Sequence, residues 1–150
     1  MSKFSFSECE FLGCNISLAD LTKTGFQGVK FKDCKLLGLH FENCSEFRFD
    51  VDFDNCVLNL SSFYKRKLKK VEFKNSSLQD VDFTETDLTG VLFYNCDLTS
   101  ATFDNTILEK ADFRTSFNYS IDPEKNKIKK AKFALPSVIG LLNKYDIEIE

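Results

Sequence analysis

The chain has 150 residues, 43% of them hydrophobic, with 20 lysines and arginines against 23 aspartates and glutamates for a net charge of −3. That length suits one domain with a real core, and so few prolines (2) and glycines (6) exclude disordered and collagen-like classes. The charge balance gives no global basic surface for nucleic acid, no stretch approaches the roughly 18 apolar residues of a spanning helix, and the opening MSKFSFSECEF has no signal-peptide core; a cytoplasmic protein with reduced thiols is expected.

Seventeen phenylalanines and no tryptophan point to a packing rule that runs through the whole chain. The first element is a series of large apolar residues at every fifth position: Phe6, Phe11, Ile16, Leu21, Phe26, Phe31, Leu36 and Phe41. A register shift follows. Phe47 lies six residues from both Phe41 and Phe53, which places two single-residue insertions in the Glu42–Asp52 region. The second series then runs unbroken through Phe53, Leu58, Phe63, Leu68, Phe73, Leu78, Phe83, Leu88, Phe93, Leu98, Phe103, Leu108 and Phe113. Two positions before most centres stands a small or β-branched residue, such as Val71, Ser76, Val81, Thr86, Val91 and Cys96.

A five-residue period fits neither a helix nor an uninterrupted strand. It fits three extended residues facing in, out and in, followed by a two-residue corner. In the first half a period of 10 fails and a period of 20 succeeds, since Phe6 matches Phe26, Phe11 matches Phe31 and Ile16 matches Leu36. Four sides per coil are therefore expected. The columns are Phe11, Phe31, Phe53, Phe73, Phe93, Phe113 and Phe133; then Ile16, Leu36, Leu58, Leu78 and Leu98; then Leu21, Phe41, Phe63, Phe83 and Phe103; then Phe6, Phe26, Phe47, Leu68, Leu88, Leu108 and Ile128. The fold class is an all-β solenoid over residues 1–133.

The repeat falters at Asn118 and Pro123, so 117–127 is expected to protrude as a loop before the pattern resumes at Ile128 and Phe133. Residues 134–150 form a tail. Pro136 can open a helix with an apolar face of Val138, Ile139, Leu141, Leu142 and Tyr145, and Ile147 and Ile149 alternate like a short strand. This tail is expected to cap the last coil, with dimerisation through Val138, Ile139, Leu141, Leu142, Tyr145 and Ile147 as the alternative.

The units, among them Ala19-Asp20-Leu21, Val81-Asp82-Phe83, Cys96-Asp97-Leu98 and Ala111-Asp112-Phe113, resemble those of the pentapeptide-repeat family. That resemblance implies a right-handed, four-sided β-helix. The ending from Gly140 to Ile149 resembles the C-terminal helix and strand of the quinolone-resistance subgroup, where it joins two rods. Members of that subgroup mimic B-form DNA and bind type II topoisomerases. The resemblance thus implies DNA gyrase or topoisomerase IV as a protein partner, with no direct nucleic-acid or membrane contact. A scaffolding β-helix with an unidentified protein partner is the other reading.

Residues that could carry chemistry are few. Cys14, Cys34, Cys56 and Cys96 share one inward column with Ser76 and Ser116, and read as small apolar filler better than as a metal ladder, because metal ligands must converge. The single histidine, His40, has no paired nucleophile, so no enzyme, cofactor or metal is expected. Two charge features remain. One is an acidic face of Asp80, Asp82, Glu85, Asp87, Asp97 and Asp104, within a segment 78–113 that carries eight acids and one base. The other is a basic corner of Lys65, Arg66, Lys67, Lys69 and Lys70, in which Arg66 occupies a small inward position and so marks a bulge or a functional spot.

Overall fold

The computed structural model describes residues 1–47 and 49–150. Its chain turns a corner at every fifth position through a residue in the left-handed conformation. Lys65, Lys70, Asn75, Asp80, Glu85, Gly90, Asn95, Ser100, Asn105 and Lys110 all have φ between 50 and 69°. Asn, Asp and Gly accept this conformation at low cost, whereas the lysines are held in it by the coil on either side. Between corners run three nearly extended residues, and parallel bridges stack each side on the next coil: Asn15 on Lys35, Lys35 on Val57, Val57 on Ser77 and Ser77 on Asp97. The spacing is 20 residues, interrupted once by 22, so each coil has four sides.

Side 1 carries the longest ladder, a five-stranded parallel sheet in the order β2 (Glu10–Leu12), β4 (Val29–Lys32), β5 (Val51–Asp54), β6 (Glu72–Lys74) and β7 (Leu92–Tyr94). Two further strands, β1 (Ser5–Ser7) and β3 (Gly25–Gln27), pair on side 4. Inside, like stacks on like. The seven phenylalanines of side 1 form one column with ring centroids 4.8–5.5 Å apart. Side 3 forms a second, from Phe41 to Phe103, at 4.5–5.6 Å. The two columns meet edge to face across the core, as between Phe63 and Phe73 at 5.8 Å and 83°. Both geometries are favoured by the ring quadrupole. The structure is thus the four-sided β-helix expected from the five-residue period.

Three expectations need correction. First, Phe47 does not belong to the side 4 column: it is 75% exposed, and Phe49 turns inward instead, with ring centroids 6.3 Å from Phe26 and 6.1 Å from Phe41. The reason is that both extra residues fall in one stretch. Ser45 N–H still bonds the Thr24 carbonyl, as Gly25 N–H bonds that of Phe4 one coil earlier, but Val29 already pairs with Val51.

Second, 117–127 does not protrude. Phe117 bridges Asp97 and Lys127 bridges Ile107, while Tyr119, Ile121 and Asn126 are buried. A core position left open by Asn118 and Pro123 is filled by neighbours at new spacings.

Third, the tail forms two short 3₁₀ turns, Val138–Leu141 and Asn143–Tyr145, rather than one longer helix, and 147–150 make no strand. Gly140 lies inside the first turn and Asp146 takes a left-handed φ of 49° just after the second, which leaves no room for a continuous helix. The tail contacts the last coil. Ile121 N–H donates to the Gly140 carbonyl at 3.0 Å, and Lys144 Nζ reaches Asp122 Oδ1 at 3.0 Å and Glu124 Oε2 at 2.7 Å.

Candidate functional site: walls, corner and C-terminal end

The small inward residues do more than fill space. Sides 2 and 4 repeatedly take a polar one, and it donates to a centre carbonyl of the preceding coil: Cys34 Sγ to Phe11 at 3.2 Å, Cys56 Sγ to Phe31 at 3.3 Å, Cys96 Sγ to Phe73 at 3.3 Å, Ser116 Oγ to Phe93 at 2.6 Å, Thr86 Oγ1 to Phe63 at 2.9 Å and Thr106 Oγ1 to Phe83 at 2.8 Å. A buried carbonyl needs a partner, and these side chains supply it. Sequence reading missed this role. Its signal was the alternation at every fifth residue of Val71, Ser76, Val81, Thr86, Val91, Cys96, Ala101 and Thr106.

Burial raises the thiol pKa of Cys56 and of Cys96 to about 11 and that of Cys44 to about 12, and it also pushes Cys34 up. Thiolates are the reactive form. Titration of the native protein with a chromogenic disulfide reagent is therefore expected to modify the half-buried Cys9 and Cys14 quickly. The other four should react only on unfolding, and rapid reaction of all six would contradict the packed columns.

The acidic residues do not form one face. Asp97 lies on side 2 in the ladder with Ser77 and Phe117, Asp82 on side 3 with Ser62 and Thr102, and Asp87 on side 4 with Lys67 and Ile107. Asp80 and Glu85 sit at corners with positive φ, and Asp104 adjoins the next corner residue, Asn105. The side chains are also engaged locally. Asp82, Asp87 and Asp97 each accept the N–H of the threonine two residues on, at 2.8, 3.0 and 3.1 Å. Asp97 further accepts from Gln79 Nε2 at 2.7 Å and Asn118 Nδ2 at 3.3 Å. For Asp87 and Asp97 partial burial raises the pKa, but the hydrogen bonds led by Thr89 and Thr99 outweigh it and hold the carboxyl below its usual range. The aspartates are turn-forming groups built into the corners.

The basic corner is likewise spoken for. Lys65 pairs with Glu85 at 3.4 Å and Lys69 with Asp87 at 3.5 Å, so two members of each charge feature meet between adjacent coils. Such exposed, solvent-screened pairs contribute little to stability. Lys67 lies in the ladder with Asp87, and Lys70 turns the corner beside Gly90. Arg66 is different, being only 6% exposed. Its guanidinium donates to the carbonyls of Cys44 at 3.1 Å and Ser45 at 2.9 Å and lies 4.2 Å over the Phe49 ring. It pins the two-residue insertion and resolves the broken local rule as a bulge. A cleft of about 500 Å³ beside it is lined by acids (Glu42, Glu46) and bases (Lys65, Lys67) alike. His40 is exposed, with Nδ1 2.9 Å from Glu42 Oε1.

The C-terminal end presents several large apolar side chains to solvent. Ile139, Leu142, Tyr145, Ile147 and Ile149 are exposed there, whereas Val138 and Leu141 are half-buried and anchor the tail. Between the tail and side 2 lies a groove of about 560 Å³, lined by Thr99, Phe117, Asn118, Tyr119, Ser137 and Ile139 among others. Among the described residues, no group of three or more His, Cys, Asp or Glu is placed to hold a metal ion, and no helix is long and apolar enough to cross a membrane.

Comparison with known proteins places this arrangement. No curated protein sequence matches the chain. Among solved structures, a trypsin-treated variant of QnrB1, described as a plasmid-mediated fluoroquinolone resistance protein, is similar at 16% identity over 99% of this chain and 92% of that one, with a TM-score of 0.37. The pentapeptide repeat protein Rfr23 from the cyanobacterium Cyanothece 51142 matches at 17% identity over 85% and 89%, with a TM-score of 0.43. A pentapeptide repeat protein from the Arabidopsis thaliana thylakoid lumen matches at 18% over 76% and 68%, with a TM-score of 0.45. The model of the pentapeptide repeat region matches residues 4–78 and 50–113, most of the solenoid, and the chain belongs to the pentapeptide repeat family.

Proposed function

We propose that the protein is a non-catalytic interaction module whose contact surface is its C-terminal end, and that one partner at this end is a second copy of the chain. The observation that carries this reading is the tail itself. It is clamped to the last coil through Gly140 and Lys144, yet holds Leu142, Tyr145, Ile147 and Ile149 out to solvent. Large apolar side chains exposed at one end of a rod favour end-to-end association. Size exclusion with light scattering is expected to give a concentration-dependent dimer for the full chain and a monomer for the double variant Leu142→Asp, Ile147→Asp. A monomer in both overturns the reading.

DNA gyrase or topoisomerase IV as partner is the finer reading that the resemblance supplies. The spread of Asp82, Asp87 and Asp97 over three sides, each tied to a threonine, weighs against a DNA-like acidic wall. A gyrase supercoiling assay with ciprofloxacin is accordingly expected to show no protection; protection at micromolar protein would identify gyrase as a partner after all.

A further inference from the structure

We infer that a lysine-rimmed opening on sides 4 and 1 of the last coil receives the acidic tail of a second copy, so that two chains exchange residues 146–150 at their C-terminal ends. The inference rests on the dimer reading above and names the surface that takes the tail.

The last coil is finished unevenly. Where the tail packs, around Gly140, Tyr119 and Ile121 are buried. On sides 4 and 1 the columns end at Ile128 and Phe133, which are only half-buried, whereas Leu108 and Phe113 one coil earlier have no exposure. Lysines stand around this opening. Lys127 is the outward residue of side 4, bridged to Ile107, and Lys132 that of side 1, bridged to Asp112. Lys129 and Lys130 turn the corner between them, Lys130 with φ 59°. All four are exposed, and Lys110 extends the row one coil back, its N–H donating to the Lys129 carbonyl at 3.0 Å. The acids close by are Glu109, beside Lys110, and three that already have partners: Asp112 holds Arg114 at 2.8 Å, and Asp122 and Glu124 hold Lys144. Among the described residues, Lys127, Lys129, Lys130 and Lys132 make no ion pair. A rim of one sign around exposed apolar side chains selects an occupant that is both acidic and apolar.

The chain carries such a segment itself. Asp146, Glu148 and Glu150 alternate with Ile147 and Ile149, and all five residues are exposed. No ion pair joins these acids to any lysine of their own chain among the described residues, so the two complementary features do not meet within one copy. In an extended segment, alternation sets the isoleucines on one face and the acids on the other. The last coil has the same division, with Ile128 and Phe133 toward the core and Lys127 and Lys132 outward. A tail laid along the opening therefore brings its isoleucines over Ile128 and Phe133 and its acids to the lysine rim, through side-chain contacts. Tail and opening lie at the same end of the rod. Two copies meeting end to end each give a tail and receive one, which makes a closed, self-complementary contact that stops at two chains.

Two charge reversals in the full chain test the exchange by light scattering. One is Lys127→Glu with Lys130→Glu, the other Glu148→Lys with Glu150→Lys, all at exposed positions. Each double variant is expected to raise the dimer dissociation constant about tenfold or more, because acids then face acids in the first and lysines face lysines in the second. An equimolar mixture of the two is expected to regain the dimer as a species with one chain of each, identified by native mass spectrometry, since every tail then meets a rim of opposite charge. That rescue also shows that both variants fold. Wild-type affinity in both variants overturns the inference, as it would if the tail bound its own chain or the lysines served a different acidic protein. Weakening without rescue in the mixture overturns it as well. In either case the wild-type dimer still stands, whereas a wild-type chain that is monomeric at every concentration overturns the dimer reading and the exchange together.

Discussion

Phe73→Ala is expected to lower stability by about 3–5 kcal/mol, the usual cost of emptying a fully packed phenylalanine site. The ring has no solvent exposure and stacks on Phe53 at 5.1 Å and Phe93 at 5.3 Å. It also meets Phe63 at 5.8 Å and Phe83 at 6.1 Å edge to face. Four aromatic neighbours from three coils cannot all collapse into the space, because each is fixed by its own backbone ladder. Phe6→Ala is the internal control. Its ring is half-buried and, among the described residues, has only Phe11 and Phe26 as aromatic neighbours, so a smaller loss is expected. Urea unfolding of the two variants measures the difference. Coil-to-coil coupling also predicts that Phe73→Ala broadens the transition, since a solenoid weakened at its centre can unfold from either half. Equal, small losses at both positions would contradict the stacked columns.

Gly140→Ala is expected to release the tail. A Cβ at this position would fall far inside van der Waals contact with the Tyr119 carbonyl oxygen and press on the Tyr119 ring. The obstacle is mainly backbone, so no rotamer change removes it, and a forced fit of this kind costs about 1–3 kcal/mol. Apart from Leu141 packed on the core, the tail is held by one main-chain bond from Ile121 and by Lys144 on Asp122 and Glu124, so it has little in reserve. Native-state hydrogen exchange reads the result directly. The Ile121 amide, which donates to the Gly140 carbonyl, should lose protection while the side 1 amides of β5 to β7 keep theirs. Unchanged protection at Ile121 would mean that the tail packs elsewhere.

The solenoid was readable because one rule repeats. Wherever Phe53 to Phe113 kept the five-residue step, the columns, the four sides and the 20-residue register all followed from counting. Reading failed where the rule has no neighbour to lean on. Phe47 and Phe49 are equally apolar, and only the packing of Phe26, Phe41 and Arg66 decides which turns in. The segment after Asn118 looked like a loop because its core residues, Tyr119 and Ile121, stand at other spacings.

The candidate sites suffered from a different ambiguity. An aspartate before a centre, as at Asp82, Asp87 and Asp97, reads equally as surface charge and as a turn-forming group, and the threonine two residues on at 84, 89 and 99 was the unused clue. Lys65 and Lys69 appeared as a separate feature only because Glu85 and Asp87, their partners, lie one coil away in sequence. The polar groove beside the tail left no mark on the sequence at all, since it depends on where a short 3₁₀ turn departs from the ladder.

The surface proposed to act is the C-terminal end rather than any charged wall. The most direct measurement is hydrogen exchange on the full chain at low and at high protein concentration. Protection gained on concentrating the protein is expected within residues 135–150 alone, where Ile139, Leu142, Tyr145, Ile147 and Ile149 are exposed. Gains spread along a side wall, or none at any concentration, would contradict it.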